Sequence, residues 1–328
     1  MPPLSGLLKF AATQYTALPL VPTNELCAGK TFIITGANTG LGYEAAKHLV
    51  QCSSSRVILT ARSADKGKAA LSRIEKETGK TGIAEYWNLD LASYESIKKF
   101  AKEVQALDRV DAIIENAGVA LTEFTTAEGL ETSLTVNVTG TYFLAVLLLP
   151  KLKETAKRFG IQPRITIVGS GVAFIIPGKL EAVESDYLEE MSTEASGMGM
   201  RYPASKLLQF YIFRTLAEQN RVEQTGVIIN LVNPGMCYSE LNRNMPLKMW
   251  IMSQTMRLFL ARSTEVGSRT LLHGAFAGEE SHGKYFSECV DKTDQLPDWV
   301  NNVSGKAIQK RVWDSLVKQL NIAQPGCI

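Results

Sequence analysis

The sequence predicts a three-layer α/β/α fold, in which a doubly wound parallel sheet of about seven strands is covered by helices on both faces. Two observations support this fold class. Short apolar runs alternate along the chain with longer segments of helical periodicity, and this alternation is typical of parallel strands joined by crossover helices. In addition, 45% of the 328 residues are hydrophobic and 21% are charged, so the chain can bury a sizeable core.

The elements follow from these two periodicities. The predicted strands are, in chain order, Thr31–Thr35, Arg56–Thr60, Ile83–Trp87, Val110–Glu115, Arg164–Gly169, Val227–Val232 and Lys284–Ser287. The predicted helices lie between them at Gly42–Gln51, Ala64–Thr78, Ser93–Ala106, Glu128–Val138, Thr141–Phe159 and Tyr202–Gln219. We therefore divide the chain into an N-terminal arm (1–29), an α/β domain (30–290) and a C-terminal helical extension (291–328) packed on that domain.

Two segments interrupt the alternation, at residues 171–200 and 236–262. Each follows the carboxyl end of a predicted strand, where open α/β sheets place their ligands, so we predict that they form lids over a substrate pocket. For the first segment the alternative is a surface excursion. The second contains the Met-rich stretch 242–260, for which core packing or a dimer surface is the alternative. A homo-oligomer is therefore left open.

Composition argues against several classes of protein. Lys and Arg number 35 and Asp and Glu 33, which gives a formal charge of +2, and no dense basic run suggests a nucleic-acid partner. The five cysteines are spread without a Cys-x-x-Cys pair and there are three histidines, so we predict neither a metal site nor a disulfide framework. This cysteine usage favours a reduced, cytoplasmic location.

The N-terminal arm shows no signal-peptide pattern, and no apolar run is evident that reaches the ~18–20 residues of a membrane span. We predict that the arm packs on the domain surface. The alternative is contact with a membrane surface, because Leu4, Leu7, Leu8 and Phe10 could form an apolar face.

A glycine-rich turn follows the first apolar run, in the sequence Thr35-Gly36-Ala37-Asn38-Thr39-Gly40-Leu41-Gly42. Gly36 can take a tight turn, and Gly40 and Gly42 allow backbone and helix to approach a pyrophosphate. The N-terminus of the following helix then supplies N–H groups and partial positive charge. This turn predicts a Rossmann-type dinucleotide site, although an ordinary loop that begins a helix is the alternative.

A second motif, Tyr202-Pro203-Ala204-Ser205-Lys206, places a phenol and an ammonium on the same face of a helix. The charge of Lys206, together with that of an oxidised nicotinamide, would lower the pKa of the phenol towards a working range. Taken alone, the spacing is more typical of a surface pair. After a glycine-rich turn on the same chain, it indicates a nicotinamide-dependent oxidoreductase with a tyrosine acid/base.

In these motifs the chain resembles the short-chain dehydrogenase/reductase superfamily, whose pattern is T-G-x-x-x-G-x-G, over roughly residues 30–290. Asn116-Ala117-Gly118 resembles the family's N-N-A-G, with Glu115 in place of the first Asn, and Leu89-Asp90-Leu91 resembles its adenine-contacting segment. Pro234-Gly235 with Ser239 resembles the segment that closes over the nicotinamide amide. The resemblance implies cofactor contacts from Gly36, Asn38, Thr39, Gly40, Leu41, Gly42, Asp90, Leu91, Asn116, Ala117, Gly118, Tyr202, Lys206, Pro234, Gly235 and Ser239.

The resemblance also implies a catalytic tetrad of Asn137, Ser170, Tyr202 and Lys206. In this arrangement Tyr202 is the acid/base and Ser170 holds the substrate oxygen. Asn137 would position a water that leads protons to Lys206, while the cofactor carries out the hydride chemistry.

Cofactor choice depends on the residues after the second strand. Relatives that prefer NAD hold the ribose hydroxyls with an acidic residue there, and this chain has none at that position. Arg62 and Lys66 are four residues apart at the start of a helix, so both could reach a 2′-phosphate. We therefore predict NADP(H). The alternative is an ordinary pair of solvated cations.

Within the superfamily the sequence is most similar to the retinol-dehydrogenase-like branch of fungal type, in Ala61-Arg62-Ser63, in Arg201-Tyr202 and in the stretch from Ser281 to Tyr285. Such relatives often serve secondary metabolism. The resemblance implies reduction of a ketone or aldehyde of a bulky hydrophobic small molecule, or oxidation of the matching secondary alcohol. The alternatives are C=C reduction or cyclisation on the same fold, and a catalytically silent NADP-binding scaffold or regulator.

Overall fold

A parallel sheet with one antiparallel edge strand forms the centre of the molecule in the computed structural model, which describes residues 10–238, 241 and 257–328. Eight strands build it in the order β3-β2-β1-β4-β7-β8-β9-β10, and only β10 runs antiparallel to its neighbour. A separate hairpin is formed by β5 and β6. The strands are β1 Thr31–Ile34, β2 Arg56–Ala61, β3 Ala84–Asn88, β4 Ala112–Glu115, β5 Thr126–Ala127, β6 Leu130–Glu131, β7 Arg164–Val168, β8 Ile228–Asn233, β9 Tyr285–Ser287 and β10 Val290–Asp291.

Helices cover both faces of this sheet. The α-helices whose two ends both lie within the described residues are α1 Asn24–Cys27, α2 Gly40–Gln51, α3 Ala64–Thr78, α4 Tyr94–Gln105, α5 Thr132–Leu134, α6 Thr141–Phe159, α7 Tyr187–Met191, α8 Arg201–Gln219, α9 Val222–Thr225, α10 Thr264–Phe276, α11 Asp298–Asn301 and α12 Val303–Ala323. A π-helical turn, Thr135–Gly140, joins α5 to α6. Short 3₁₀ turns lie at Gly171–Ile175, Glu194–Ser196, Glu279–Ser281 and Thr293–Gln295. The predicted fold class, a doubly wound α/β sheet with three layers, is confirmed.

The alternation of side chains along β1 shows how the sheet separates two cores. Phe32 and Ile34 face one apolar cluster, which includes residues of α2, α3 and α10. Ile33, between them, faces the other cluster, which includes residues of α4, α6, α8 and α12. All three side chains are buried, because a strand in the middle of a parallel sheet is covered on both faces. The central strands are therefore fixed from both sides.

One predicted helix, Glu128–Val138, begins later than the sequence indicates, and its first part is wrong. Glu128 and Gly129 both have positive φ, +53° and +79°, and form the turn of the β5–β6 hairpin. A helix cannot pass through this left-handed pair. The helical path instead begins at Thr132, where the carboxylate of Glu131 accepts from the N–H groups of Ser133 and Leu134. This cap fixes the start of the path that carries Asn137.

Residues 171–200, predicted to form a lid, are packed in part against the C-terminal extension. The backbone N–H of Tyr187 donates to Ser315 Oγ at 3.2 Å, and the Arg311 guanidinium donates to the carbonyls of Val183 and Ser185. Lys318 pairs with Glu189 at 2.6 Å. Helix α12 in turn packs on α8, so the segment before Tyr202 is held by the last helix of the chain.

The path from Thr132 to Phe159 is long and apolar enough to span a membrane, which the sequence analysis did not recognise. Its most apolar window of 18 residues is 89% buried inside the fold. Most of its apolar surface thus faces protein, as expected for the central helix of a large core.

Candidate active site

The predicted site residues lie on loops that leave the same edge of the sheet. Four strands lie side by side in the order β1, β4, β7 and β8, and all of them are parallel. Their carboxyl ends therefore lie at the same edge. The glycine-rich turn follows β1, the Asn116–Gly118 loop follows β4, Ser170 follows β7 and Pro234 follows β8. Open α/β sheets bind their ligands at such a place.

Two glycines of the first turn, Gly36 and Gly42, are required by close contacts with the loop after β4. A Cβ on Gly36, whose φ is +63°, would lie 2.9 Å from Ala117 Cα. A Cβ on Gly42 would lie 2.5 Å from Asn116 Nδ2. That amide donates to the carbonyl oxygens of Thr35 at 2.9 Å and Gly36 at 3.2 Å. Asn116 thus holds the turn, and Ala117 N–H adds a bond to Thr35 Oγ1 at 2.9 Å.

The N-terminus of α2 is open towards a ligand in two respects. Its N-cap residue, Thr39, makes no side-chain capping bond, whereas serines cap α3, α4 and α10. A Cβ on Gly40 would meet no atom of the described residues within 4 Å. Asn38, Thr39 and Leu41 are half-buried beside it. Backbone N–H groups at an N-terminus that no side chain caps suit a phosphate, so this cradle fits a dinucleotide.

Asp90 and Leu91 lie in the loop after β3. Asp90 is held by two neighbouring residues: its N–H donates to Ser96 Oγ at 2.9 Å and its carboxylate accepts from Ala92 N–H at 3.0 Å. Leu91 lies against the π-helical turn, because a Cβ on Gly140 would be only 2.2 Å from the Leu91 carbonyl oxygen. The predicted adenine-side loop and the turn that carries Asn137 are therefore in direct contact.

Arg62 and Lys66 lie at the start of α3, directly after β2. Both side chains are exposed, and neither forms an ion pair with a described residue. Ser63 caps the helix between them by accepting from Lys66 N–H. The two cations are thus available to an anion at this edge of the sheet.

Ser170, Tyr202 and Lys206 come together behind this edge. Burial raises the pKa of the Tyr202 phenol to about 12, although a hydrogen bond with Ser170 acts in the opposite direction. Lys206 Nζ lies 5.9 Å from the centre of the Tyr202 ring, and its side chain is buried. Burial lowers the pKa of this ammonium to about 7. The site therefore combines a phenol that holds its proton with an ammonium that releases one easily.

Asn137 is present in the site, but its groups are already engaged by protein. Its side-chain oxygen accepts from Val119 N–H at 2.8 Å. Its side-chain nitrogen donates to the Val119 carbonyl at 2.8 Å and to Ser205 Oγ at 3.0 Å. The Asn137 carbonyl accepts from Gln209 Nε2 at 3.1 Å, and Gln209 Oε1 accepts from Lys206 Nζ at 3.0 Å. Gln209 therefore joins Asn137 to Lys206, where the sequence analysis expected a water.

The loop after β8 is held from several sides. Asn233 Oδ1 accepts from the N–H groups of Gly171, at 3.2 Å, and Gly235, at 3.1 Å, and so ties the Ser170 loop to this one. Gly235 has φ +74°. The N-terminal arm reaches the same loop, because Gln14 Oε1 accepts from Met236 N–H at 2.9 Å. Ser239, predicted to contact the cofactor, lies outside the described residues, as do residues 242–256.

Sequence reasoning missed Gln209, Asn233, Gly140 and Gln14. The only signal for Asn233 was an amide directly before Pro234-Gly235 at a strand end, a position where side chains often bond to the turn that follows. Gln209 lies three residues after Lys206, within reach on the same helix face, which was a further clue. Gly140 and Gln14 act on residues far away in sequence and gave no local signal.

Comparison with known proteins places these features in a family. The family model described as short chain dehydrogenase matches residues 30–175. The chain is 45% identical over 320 residues to the short chain dehydrogenase/reductase dmxR8 of Cryptosporiopsis sp., which covers 95% of this chain and 96% of that protein. It is 36% identical over 327 residues to the short-chain dehydrogenase anuD of Penicillium roqueforti, covering 97% and 84%.

Solved structures agree in fold. A putative uncharacterized protein from Mycobacterium paratuberculosis superposes with a TM-score of 0.67 at 20% identity, covering 93% of this chain and 97% of that one. Pseudomonas aeruginosa RhlG, solved as an active-site complex with NADP, superposes with a TM-score of 0.60 at 22% identity, covering 79% and 94%. The curated relatives, matched over almost their whole length, show that the chain belongs to the short-chain dehydrogenase/reductase family, of the type found in fungi.

Proposed function

We propose that this protein is an NADP(H)-dependent oxidoreductase that reduces a ketone or aldehyde of a bulky hydrophobic small molecule, or oxidises the matching secondary alcohol. The observation that carries this proposal is the convergence of Ser170, Tyr202 and Lys206 beside an uncapped, glycine-rich helix N-terminus. A phenol within reach of a buried ammonium is suited to proton transfer. The glycine-rich turn is suited to hold a dinucleotide next to it.

In this proposal a bound nicotinamide supplies the hydride chemistry. The protein's own residues bind the substrate oxygen and handle the proton. The Ser170 hydroxyl is close enough to Tyr202 to lower the pKa of its phenol, so both hydroxyl groups can converge on one carbonyl oxygen. Because burial raises the pKa of Tyr202 to about 12, its phenol is protonated at neutral pH and is ready to donate that proton during reduction.

Lys206 supplies a positive charge that the phenolate needs in both directions. An ammonium near a phenolate stabilises it, so a charged Lys206 eases transfer of the Tyr202 proton to the substrate oxygen in reduction, and it stabilises the phenolate that takes the alcohol proton in oxidation. Burial lowers the pKa of Lys206 to about 7, and the ammonium is therefore partly lost above neutral pH. We therefore expect the charged fraction of Lys206 to fall as the solution becomes alkaline.

The preference for NADP(H) rests on Arg62 and Lys66, two exposed cations at the end of β2 without ion-pair partners among the described residues. Two unpaired cations suit the additional phosphate of NADP(H). Structural neighbours bound to NADP or NADPH support the same choice at the level of the fold.

The proposal of a hydrophobic substrate rests on exposed apolar side chains that are close in sequence to residues of the site. Ile175, five residues after Ser170, is 62% exposed, and Met200, two residues before Tyr202, is 42% exposed. Tyr238, in the loop after β8, is 41% exposed. Exposed apolar side chains in the segments next to Ser170, Tyr202 and Pro234 suit a ligand with a large apolar body. We infer a substrate from secondary metabolism, in line with the fungal relatives.

The test is NADPH consumption with a panel of hydrophobic ketones and aldehydes, comparing the wild type with Tyr202→Phe. We expect Tyr202→Phe to lose at least about a hundredfold in kcat, the usual contribution of a general acid, while it still binds NADPH. Tyr211→Phe is the matched control, because Tyr211 lies on the same helix and its buried hydroxyl has no hydrogen-bond partner among the described residues. Equal turnover by wild type and Tyr202→Phe would refute the tyrosine mechanism. NADPH binding without turnover of any compound would favour the silent scaffold.

A further inference from the structure

Gln209 occupies a central place in the site that no sequence motif assigns to it. Its side chain is 1% exposed and lies on α8, three residues after Lys206. Its Nε2 donates to the Asn137 carbonyl at 3.1 Å, and its Oε1 accepts from Lys206 Nζ at 3.0 Å. One amide therefore connects the π-helical turn to the ammonium.

The orientation of this amide is determined by its two partners. A carbonyl oxygen can only accept and an ammonium can only donate, so Nε2 must face Asn137 and Oε1 must face Lys206. The reverse orientation would place two acceptors together at one end and two donors at the other. The backbone of Gln209 is fixed as well, because its carbonyl accepts from the buried hydroxyl of Tyr142. Both the backbone and the side-chain amide of Gln209 are therefore fixed by hydrogen bonds.

The contacts of Lys206 show what the amide achieves. An ammonium has three hydrogens, and two of them are used by protein acceptors: the Val168 carbonyl at 2.8 Å and Gln209 Oε1 at 3.0 Å. These two bonds direct the remaining hydrogen away from both acceptors. The ammonium lies 5.9 Å from the centre of the Tyr202 ring. Two protein acceptors therefore set the position of the charge relative to the phenol.

We propose that Gln209 is a positioning residue of the active site, whose side-chain amide ties the Lys206 ammonium to the Asn137 carbonyl. Its catalytic meaning rests on the proposed function, since Lys206 must act on Tyr202 for its position to matter. The amide takes the place between Asn137 and Lys206 that the sequence analysis gave to a water. The dipole of Gln209 also stabilises the charged form of a buried lysine.

The groups around Lys206 make the effect of Gln209 measurable. Tyr202 is the titratable side chain that faces the ammonium from its own helix. The other elements packed on it present uncharged groups: β7 the Val168 carbonyl, the loop after β4 Gly118, and the π-helical turn the Asn137 amide and carbonyl. Within the described residues, burial alone lowers the pKa of Lys206, to about 7. Loss of one acceptor is therefore not masked by a neighbouring charge.

The experiment measures the titration of Lys206 directly, by NMR of protein with ¹³C-labelled lysine, in which Lys206→Met identifies the signal. Gln209→Met keeps the length of the side chain but removes both hydrogen bonds. We expect the Lys206 midpoint to fall by about one pH unit or more, because a buried ammonium loses an acceptor. In Gln209→Glu a carboxylate faces the ammonium, so the midpoint rises. An unchanged midpoint in Gln209→Met would overturn the proposal.

Gln309→Met is the matched control. Gln309 is also buried, and its amide donates to Thr215 Oγ1 and Glu218 Oε2, both at 3.1 Å, at a site away from Lys206. A general loss of stability would affect both methionine variants, but only Gln209→Met shifts the Lys206 midpoint. A shift of that midpoint in Gln309→Met equal to the one in Gln209→Met would also contradict the proposal.

Kinetics then connect the position of the ammonium to the reaction. With any carbonyl substrate that the wild type reduces, the pH at which kcat/KM falls in alkaline solution moves with the Lys206 midpoint, down in Gln209→Met and up in Gln209→Glu. A profile that stays in place while the NMR midpoint moves would refute the catalytic part of the proposal. A wild type that binds NADPH and reduces no carbonyl would instead refute the proposed function, and the NMR result would still decide the role of Gln209.

Discussion

A single methyl group at Gly140 tests how the fold positions the cofactor side of the site. This glycine is the last residue of the π-helical turn that carries Asn137, and it lies against the loop of Asp90 and Leu91. In Gly140→Ala the new Cβ would be 2.2 Å from the Leu91 carbonyl oxygen and 2.9 Å from the Thr135 carbonyl oxygen. Ordinary C···O contacts are about 3.3–3.6 Å, so the Leu91 backbone must move by about 1 Å.

Two opposing effects determine the size of the change. Alanine in a helix is more favourable than glycine by about 1 kcal/mol, which would stabilise the variant. Overpacking of a core costs about 1–3 kcal/mol and more where backbone must move, since backbone cannot rotate out of the way as a side chain can. The steric cost is therefore larger, and we expect a lower free energy of unfolding and weaker NADPH binding, because the displaced loop carries Asp90 and Leu91.

The assays are thermal unfolding with and without NADPH, and a titration of NADPH followed by its fluorescence. Gly199→Ala is the control, because a Cβ at Gly199 meets no atom within 4 Å in the described part of the chain and the residue is not in the left-handed region. We expect Gly199→Ala to unfold and bind as the wild type does. A Gly140→Ala protein with the stability and NADPH affinity of the wild type would show that the Leu91 loop moves at no cost, and the reasoning would be wrong.

Two further predictions concern ionisable residues. Arg62→Glu lowers the preference for NADPH over NADH in kcat/KM, because it replaces a cation beside the predicted 2′-phosphate with an anion; an unchanged ratio would contradict the role of Arg62. Burial raises the pKa of Glu115 well above its usual value of 4.5, so the folded protein retains a proton that the unfolded chain releases, and stability falls as pH rises above about 4.5. Glu115→Gln therefore raises the melting temperature more at pH 8 than at pH 4.5, and an equal change at both pH values would argue against a protonated Glu115.

Much of the fold could be predicted because it depends on local patterns. Strand β1 contains an apolar run after Thr31, and such runs mark strands that are covered on both faces. Ser93 and Gly79 mark the ends of their helices because they cap them directly, Ser93 by its side chain and Gly79 by its positive φ. The hairpin at Glu128 was missed because glutamate rarely adopts a left-handed conformation, and only its neighbour Gly129 pointed to a turn.

The candidate site could be predicted only where a motif carries its chemistry. Tyr202 and Lys206 lie one turn apart on one helix, so their proximity follows from their spacing. The link from Lys206 to Asn137 depends instead on the contact between α8 and the π-helical turn. This contact joins Gln209 to Asn137, which are 72 residues apart in the chain. Spacing along the chain does not describe such a contact. The same holds for Gln14, which reaches the loop after β8 from the N-terminal arm.

The contact between the segment before Tyr202 and the last helix has a consequence for engineering. Because Val183, Ser185 and Tyr187 are hydrogen-bonded to Arg311 and Ser315, the segment predicted to form a lid over the substrate pocket is shaped by residues more than a hundred positions away. Transplanting residues 171–200 alone from one relative into another would separate partners that fit each other. Chimeras designed to exchange substrate preference should therefore move this segment and helix α12 together.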